Sequence, residues 1–128
     1  MAAVSSSRLL AGLLVTAGVT HFARPRFYDP MVPEVLPGSA RTWTYASGVA
    51  EFAVAAALTA PRTRRAGALA AAGLFTAVFP ANVKMAIDWR RRPKHLRAAA
   101  YARLPLQAPL VVWALRVARY AARADGRR

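Results

Sequence analysis

The chain contains no cysteine in its 128 residues. Disulfides, thiolate metal sites and dithiol redox chemistry are therefore excluded within it, although the redox compartment stays open. Acidic residues are also scarce, with 5 Asp and Glu against 19 Lys and Arg, and the net charge is +14. Such a charge indicates an anionic partner, either phospholipid headgroups or nucleic acid. Nucleic acid needs a soluble basic surface or a reading motif, and since the sequence has neither we predict no nucleic-acid partner.

The residues and motifs that form metal and redox sites are also scarce in the sequence. Motifs for haem, flavin or an iron–sulfur cluster are absent from the sequence. His21 and Glu51 alone are too few ligands for a zinc ion, and His95 falls in a predicted loop. We therefore predict no metal site and no catalytic residue, and the sequence establishes no cofactor.

Apolar and basic residues are segregated along the chain. Hydrophobic residues make up 56% of it, and mean hydropathy is +0.24 despite the 19 basic residues. Four apolar segments each approach the roughly 20 residues that cross a hydrocarbon layer of about 30 Å. They cover residues 5–22, 42–60, 66–88 and 102–121. We predict an all-α fold in which a bundle of four transmembrane helices forms one integral membrane domain over residues 1–128.

Two other interpretations fit these segments less well. The four could be buried helices of a soluble protein, but they offer too few polar positions for amphipathic outer faces. The first could be a signal peptide, but Arg8 is the only basic side chain at its start, and no convincing small-residue cleavage site precedes His21. The abundance of Ala, and of Arg over Lys, indicates a chain from a GC-rich bacterium.

Small residues at four-residue spacing indicate tight helix interfaces. In lipid, hydrophobic burial no longer drives association, and small residues let two backbones approach closely. Three such series occur: Gly12, Thr16 and Thr20; Ala53 and Ala57; Gly67 and Ala71.

The first connection, residues 23–41, is called the cap segment below. It is too long for a tight turn, its four prolines prevent a continuous helix, and about half of it is apolar. We predict that it lies on the membrane interface or covers the outer mouth of the bundle. A plain linker is the alternative.

Four polar side chains interrupt the apolar segments at one level. If the helices alternate in direction, a rise of about 1.5 Å per residue places His21, Glu51, Asn82 and Gln107 in the same half of the bilayer. Glu51 is the deepest, and a carboxyl group at that depth is costly unless it is neutral or paired. This constellation predicts a polar pocket for a small molecule, a quinone headgroup, a lipid or a proton. The alternative is a satisfied hydrogen-bond network that fixes helix register.

Two prolines lie in or beside this polar half. Pro80 and Pro109 are predicted to kink their helices and to free the carbonyls of Thr76 and Pro105. In lipid a freed carbonyl needs a partner or a cavity, which adds to the prediction of a pocket.

Basic residues flank the spans on both sides in nearly equal number, so charge alone does not determine the orientation. Arg116, Arg119 and Arg123 form a stripe whose guanidinium groups can reach the anionic headgroups of a lipid bilayer, the predicted partner. Lys84 and Asp88 are four residues apart and are predicted to pair near the headgroups.

Several motifs together resemble the DoxX-like family of small four-helix integral membrane proteins. They are THFARPRFYDPMVPEVLP, SGVAEFAVAAAL, AVFPANVKMA and RLPLQAPLVVWA, and they cover nearly the whole chain. The resemblance implies four transmembrane helices in the plasma membrane with both termini cytoplasmic. By residue-wise match it adds Arg103 to the predicted ligand-binding residues His21, Glu51, Asn82 and Gln107.

The resemblance does not imply a reaction for this chain. Some relatives are subunits of thiosulfate:quinone oxidoreductase and others associate with redox or maturation complexes, whereas a chain without cysteine departs from any thiol-dependent scheme. We expect an accessory subunit that binds a small ligand, a quinone or a lipid, without catalytic activity of its own, beside a redox enzyme or in a homo-oligomer. The alternatives are a structural or assembly protein without ligand, and a small transporter or proton conductor that uses Glu51.

Overall fold

The chain folds into helices joined by short connections. The computed structural model describes residues 2–127, and side chains from residue 4 onward. The helices of this part are α1 (Ala2–Ala23), α2 (Pro25–Tyr28), α3 (Ala40–Thr59), α4 (Arg64–Ala77), α5 (Phe79–Asp88) and α6 (Lys94–Asp125). Turns of 3-10 helix follow α2 at Asp29–Met31 and α5 at Trp89–Arg91. Residues 2–127 contain no strand, and the predicted all-α class is confirmed.

The helix ends follow local chemistry. α1 ends before Pro25, because the residue that precedes a proline is disfavoured in the helical conformation. Gly38 takes a positive φ of 83°, which suits glycine, and it turns the chain into α3. Ser39 then caps α3, since its Oγ accepts a hydrogen bond from the Thr42 N–H at 3.2 Å. α6 begins directly after Pro93.

The predicted segments 5–22 and 42–60 correspond to α1 and α3. Their ends differ from the ends of these helices by at most three residues. The segment 66–88, predicted as one helix, is instead divided at Val78 into α4 and α5. Pro80 lies at the start of α5, where its missing N–H is tolerated, and this accounts for the position of the break.

The fourth helix is longer than the predicted range of 102–121, because α6 covers Lys94–Asp125. The hydropathy pattern identifies only the apolar part of this helix. The flanking residues include many Ala, Arg and Lys, which are good helix formers, and the helix therefore continues through them. α6 runs without interruption through Pro105 and Pro109.

The long helices pack around one core. α1 lies along α3, α3 lies against α4, α4 lies along α6, and α5 packs on α6. Leucine and alanine dominate the buried residues. The core includes Leu10, Leu14, Ala55, Leu58, Ala68, Ala71, Phe75, Ala114 and Val117.

Glycines bring α1 and α3 close together. A Cβ atom at Gly18 would lie 2.7 Å from the Phe52 ring, and one at Gly48 would lie 2.7 Å from the Phe22 ring. Since position 18 meets position 52 and position 22 meets position 48, the two helices run antiparallel. Each phenylalanine ring therefore covers a glycine of the neighbouring helix.

The predicted small-residue series differ in outcome. Gly67 and Ala71 are buried, and a Cβ atom at Gly67 would lie 2.9 Å from the backbone nitrogen of Leu58, so this interface is confirmed. Gly12 and Thr16 are exposed, and an added Cβ at Gly12 would meet nothing within 4 Å, so the interface predicted there is wrong. In the second series Ala53 is exposed, but Ala57 packs against Gly67, since a Cβ atom added at Gly67 would lie 2.9 Å from the Ala57 Cβ. In helices this rich in alanine, small residues recur at four-residue spacing on every face.

The cap segment folds back over one end of the bundle. Met31 is buried there at 8% exposure. The indole Nε1 of Trp43, in α3, donates to the Pro37 carbonyl at 2.6 Å, and Lys84 Nζ, in α5, donates to the Pro30 carbonyl at 2.6 Å. The segment is thus tied to two different helices, which a plain linker would not be.

One helical run of the described residues, Arg64–Arg91, is long and apolar enough to cross a membrane. It has 28 residues and a mean hydropathy of 1.5 in its most apolar window. By length and composition alone, this run gives weak support to a membrane location. The prediction of four spans goes beyond it.

Candidate functional site

A cavity of about 250 Å³ lies inside the bundle beneath the cap segment. Residues of α1, α3, α4, α5, α6 and the cap segment line this central cavity. Its polar lining consists of His21, Tyr28, Thr44, Ser47, Glu51, Asn82, Arg103 and Gln107. All five side chains predicted to bind a ligand therefore meet at one place. Leucine, valine and phenylalanine side chains supply most of the remaining wall.

Glu51 projects from α3 with 6% exposure. Its Oε2 lies 3.3 Å from His21 Nδ1. That nitrogen also lies 2.7 Å from the Ala17 carbonyl, and because a carbonyl only accepts, Nδ1 carries a hydrogen and donates it there. Glu51 Oε2 is left without a hydrogen-bond partner among the described residues. A buried unpaired polar atom costs about 1–3 kcal/mol, so this oxygen is a place where a donor from a bound molecule would be favourable.

The α6 wall of the central cavity is also incompletely satisfied. Gln107 Oε1 is buried and has no hydrogen-bond partner in the described part of the chain. Arg103 lies one turn earlier on the same helix face, where its Nη1 donates to Met85 Sδ at 3.5 Å. Sulfur is a weak acceptor, and no carboxyl group of residues 2–127 pairs with this guanidinium. The α6 wall thus presents one free acceptor and one cation without an anion.

Tyr28 of the cap segment stacks on the His21 ring, with centroids 3.8 Å apart and an interplanar angle of 15°. Its hydroxyl lies 2.7 Å from Thr20 Oγ1, which in turn donates to the Ala17 carbonyl at 2.7 Å. Because the Thr20 hydrogen is used in that bond, Tyr28 is the donor to Thr20. The stack fixes both the imidazole plane and the position of the cap segment over the central cavity.

Asp29 fastens the cap segment to the start of α3. Its Oδ1 accepts from Thr44 Oγ1 at 2.7 Å, and its Oδ2 accepts from Arg41 Nε at 2.9 Å and lies 2.9 Å from Arg41 Nη2. The Arg41 hydrogen bond, with help from Thr44 and against partial burial, holds the pKa of the Asp29 carboxyl below its ordinary value. Thr44 lines the central cavity, so this fastening adjoins the site directly.

The predicted pair of Lys84 and Asp88 is confirmed, with Nζ and Oδ2 2.9 Å apart. It lies in α5, and Asp88 is not among the residues that line the central cavity. Within residues 2–127, no group of three His, Asp or Glu side chains is placed to hold a metal ion.

Sequence reasoning missed the residues that close the central cavity, namely Tyr28, Asp29 and Met31. Tyr28 and Met31 counted only as apolar members of a proline-rich segment. The sequence did contain a signal for Asp29. It is one of only 5 acidic residues in the chain, and it lies between Arg26 and Arg41, with which an ion pair could have been predicted.

Comparison with known proteins finds one relationship. The family model described as a domain of unknown function (DUF8561) matches residues 10–118, which is most of the chain. That range contains the whole lining of the central cavity. The chain matches no curated protein and no solved structure.

Proposed function

We propose that this chain, which belongs to the family described as a domain of unknown function (DUF8561), binds a small molecule inside a multi-pass membrane bundle. The observation that carries the proposal is a pair of buried oxygens, Glu51 Oε2 and Gln107 Oε1, that have no hydrogen-bond partner among the described residues. Both belong to side chains that line the central cavity, from α3 and from α6. A ligand with hydrogen-bond donors would satisfy the two atoms at once.

A purely structural role of the polar residues fits this geometry less well. A network that serves only to fix helix register satisfies its own donors and acceptors. Here two acceptors are unpaired, and Arg103 has no acidic partner among the described residues. The geometry therefore supports a ligand-binding protein over a structural or assembly protein without ligand.

The volume of the central cavity limits the size of the ligand. An apolar cavity of about 150 Å³ takes up benzene. The central cavity, at about 250 Å³, has room for one substituted six-membered ring but not for the acyl chains of a lipid. Leu74, Phe75 and Leu110 would contact the ring, and the polar side chains would bind its substituents. The reduced form of a quinone headgroup, a ring with two hydroxyl donors, has this size and this mixture of surfaces.

The outer surface of the bundle supports the membrane part of the proposal. Large apolar side chains are exposed on each long helix, including Leu9 at 67%, Val49 at 58% and Leu106 at 53%. Soluble monomers rarely expose contiguous apolar patches of more than a few hundred Å². We propose four spans, formed by α1, α3, α4 with α5, and α6.

The DoxX-like resemblance supplies the remaining elements of the proposal. It implies a plasma-membrane location with both termini cytoplasmic, where the arginines of the last helix would contact anionic headgroups. It also implies an accessory subunit beside a redox or maturation enzyme, or a homo-oligomer. We assign ligand binding to this chain and the reaction to that partner.

The four spans are tested by single-cysteine labelling, which is clean because the chain has no native cysteine. Ser39→Cys and Arg92→Cys should react with a membrane-impermeant maleimide on intact cells. Arg62→Cys and Arg127→Cys should react only after permeabilisation, because they lie at the opposite face. All four positions behaving alike would contradict the four-span arrangement.

Ligand binding is tested by titrating purified protein in nanodiscs, under anaerobic conditions, with decylubiquinol, the reduced form whose ring carries two hydroxyl donors, and quantifying the bound quinol. Glu51→Gln should weaken binding at least tenfold, since a hydrogen bond to a buried carboxyl group is worth about 1.5–3 kcal/mol. Glu34→Gln makes the same change at an exposed carboxyl of the cap segment and should bind like the wild type. No saturable binding by the wild type, or equal binding by Glu51→Gln, would refute the quinone site.

A further inference from the structure

The ring of helices has one loosely packed seam, between α1 and α6. α1 packs closely along α3, and α4 along α6, whereas α1 and α6 contact each other much less. The side-chain hydrogen bond that joins them runs from Trp113 Nε1 to Ser6 Oγ at 2.7 Å. Ser6 lies about 22 Å from His21 along α1, at 1.5 Å per residue. This bond is therefore at the far end of α1 from the polar groups of the central cavity.

Among the residues that line the central cavity, the one that is exposed lies at this seam. This residue is Leu13 of α1, and its exposure is 40%. The walls on the other side are closed, since Thr44, Glu51 and Asn82 are 2%, 6% and 3% exposed. The cap segment covers the end of the bundle, with Met31 buried beneath it. The opening is therefore at the side of the bundle, where the proposed bilayer lies.

Apolar side chains flank the seam on both helices. Leu9 and Leu13 are four residues apart on one face of α1, and Leu106 and Leu110 are four apart on one face of α6. Leu9 is 67% and Leu106 is 53% exposed, whereas Leu110 lines the central cavity. A hydrocarbon chain that leaves the cavity here would pass from Leu13 and Leu110 to Leu9 and Leu106.

We propose that the occupant is a single-tailed amphiphile dissolved in the bilayer, with a hydroxyl-bearing ring in the central cavity and a tail that leaves between α1 and α6. This deepens, and rests on, the proposed function. The unpaired atoms Glu51 Oε2 and Gln107 Oε1 are oxygens and take hydroxyl donors, while Arg103 donates to a ring oxygen. An alkylated hydroquinone has both features. Its dimethyl ether keeps the shape of the ring but has no donor.

The first arm of the test locates the tail. A decylhydroquinone with a diazirine near the end of its tail is bound to the full chain in nanodiscs, photolysed, and mapped by peptide mass spectrometry. Labels are expected at the exposed faces of α1 and α6 around Leu9, Leu13 and Leu106. Labels concentrated on the cap segment or on the outer faces of α3 and α4 would overturn the proposal.

The second arm fills the opening. Leu13→Trp should weaken binding of decylhydroquinone at least tenfold, because the indole takes the path of the tail. The same variant should change binding of tail-less methylhydroquinone by less than about threefold, since the ring site remains. Val15→Trp, at a residue that is 44% exposed and does not line the central cavity, is the matched control and should bind both probes normally.

The outcomes separate this proposal from the proposed function. Unchanged binding of decylhydroquinone by Leu13→Trp, with binding lost in Glu51→Gln, would overturn the seam and leave the ligand site in place. Binding of the dimethyl ether as tight as that of the hydroquinone would overturn the hydroxyl-bearing ring. No binding of any probe by the wild type would overturn both.

Discussion

Replacing Glu51 by leucine is expected to stabilise the ligand-free protein. The side chain is 6% exposed and its Oε2 has no partner among the described residues. Leucine has a similar size and no polar atom, so the substitution removes the unpaired oxygen without opening a large void. His21 keeps its hydrogen bond to the Ala17 carbonyl at 2.7 Å, so this histidine nitrogen is not left unpaired by the change.

The magnitude follows from the cost of the unpaired atom. Burying a polar group without a partner costs about 1–3 kcal/mol, and that amount should be gained as free energy of unfolding. For a domain of this size, about 4 °C of unfolding midpoint corresponds to 1 kcal/mol, so the midpoint should rise by roughly 4–12 °C. A rise of this size together with lost ligand binding is typical of a residue kept for function at a cost in stability.

The assay is thermal unfolding in detergent, followed by circular dichroism on protein stripped of ligand. Glu34→Leu, at an exposed position, should change stability by less than about 0.5 kcal/mol and serves as the control. Adding decylubiquinol should raise the midpoint of the wild type and not that of Glu51→Leu. A loss of 1 kcal/mol or more in ligand-free Glu51→Leu would refute the reasoning, because it would show that the carboxyl group is already satisfied within the bundle.

Two further predictions concern the scaffold of the site. Gly67→Ala should lower stability by about 1–3 kcal/mol, because its Cβ would lie 2.9 Å from the Leu58 backbone, whereas Gly73→Ala on the same helix has open space and should gain up to about 1 kcal/mol in thermal unfolding. Equal effects of the two would contradict the close approach of α3 and α4. Because the pKa of Asp29 is lowered, its contribution to stability is present above the ordinary value near 4 and is lost as pH falls through the lowered value. Asp29→Asn should therefore be less stable than the wild type at pH 6, with a difference that narrows below about pH 4 in a pH series of unfolding midpoints; a difference that does not change with pH would contradict the assignment.

The meeting of His21, Glu51, Asn82 and Gln107 was predictable because it depends on regular geometry, whereas Arg103 was added by the family resemblance alone. Helices that alternate in direction and rise by a fixed amount per residue bring the end of one apolar segment to the level of the start of the next. His21 and Glu51 are matched in this way, and the contacts of Gly18 with Phe52 and of Gly48 with Phe22 show the antiparallel pairing directly.

The cap segment was less predictable because its contacts depend on irregular backbone. Tyr28 covers His21 and Asp29 reaches Thr44 only after a short helix and a 3-10 turn have set their directions. Neither hydropathy nor helical periodicity reports such turns. For the third segment, a kink at Pro80 was predicted and the chain instead ends one helix and starts another at Val78, because a proline near a helix start and a proline that kinks a helix look alike in sequence.

The two routes into the central cavity differ in how many contacts hold them shut. Lifting the cap segment would break the Asp29 contacts with Arg41 and Thr44, the Lys84 bond to the Pro30 carbonyl, and the Tyr28 stack on His21. The Asp29 contacts go to α3, the Lys84 bond to α5 and the Tyr28 stack to α1, so contacts with three different helices would have to break. Parting α1 and α6 beside the cavity leaves the bond between Trp113 and Ser6 in place, because that bond is at the other end of α1. The seam therefore has fewer contacts to break than the cap segment. In the proposed membrane arrangement, the ring site would be closed toward the aqueous face, and the apolar path would open toward lipid, so a ligand that exchanges there would have to be soluble in the bilayer.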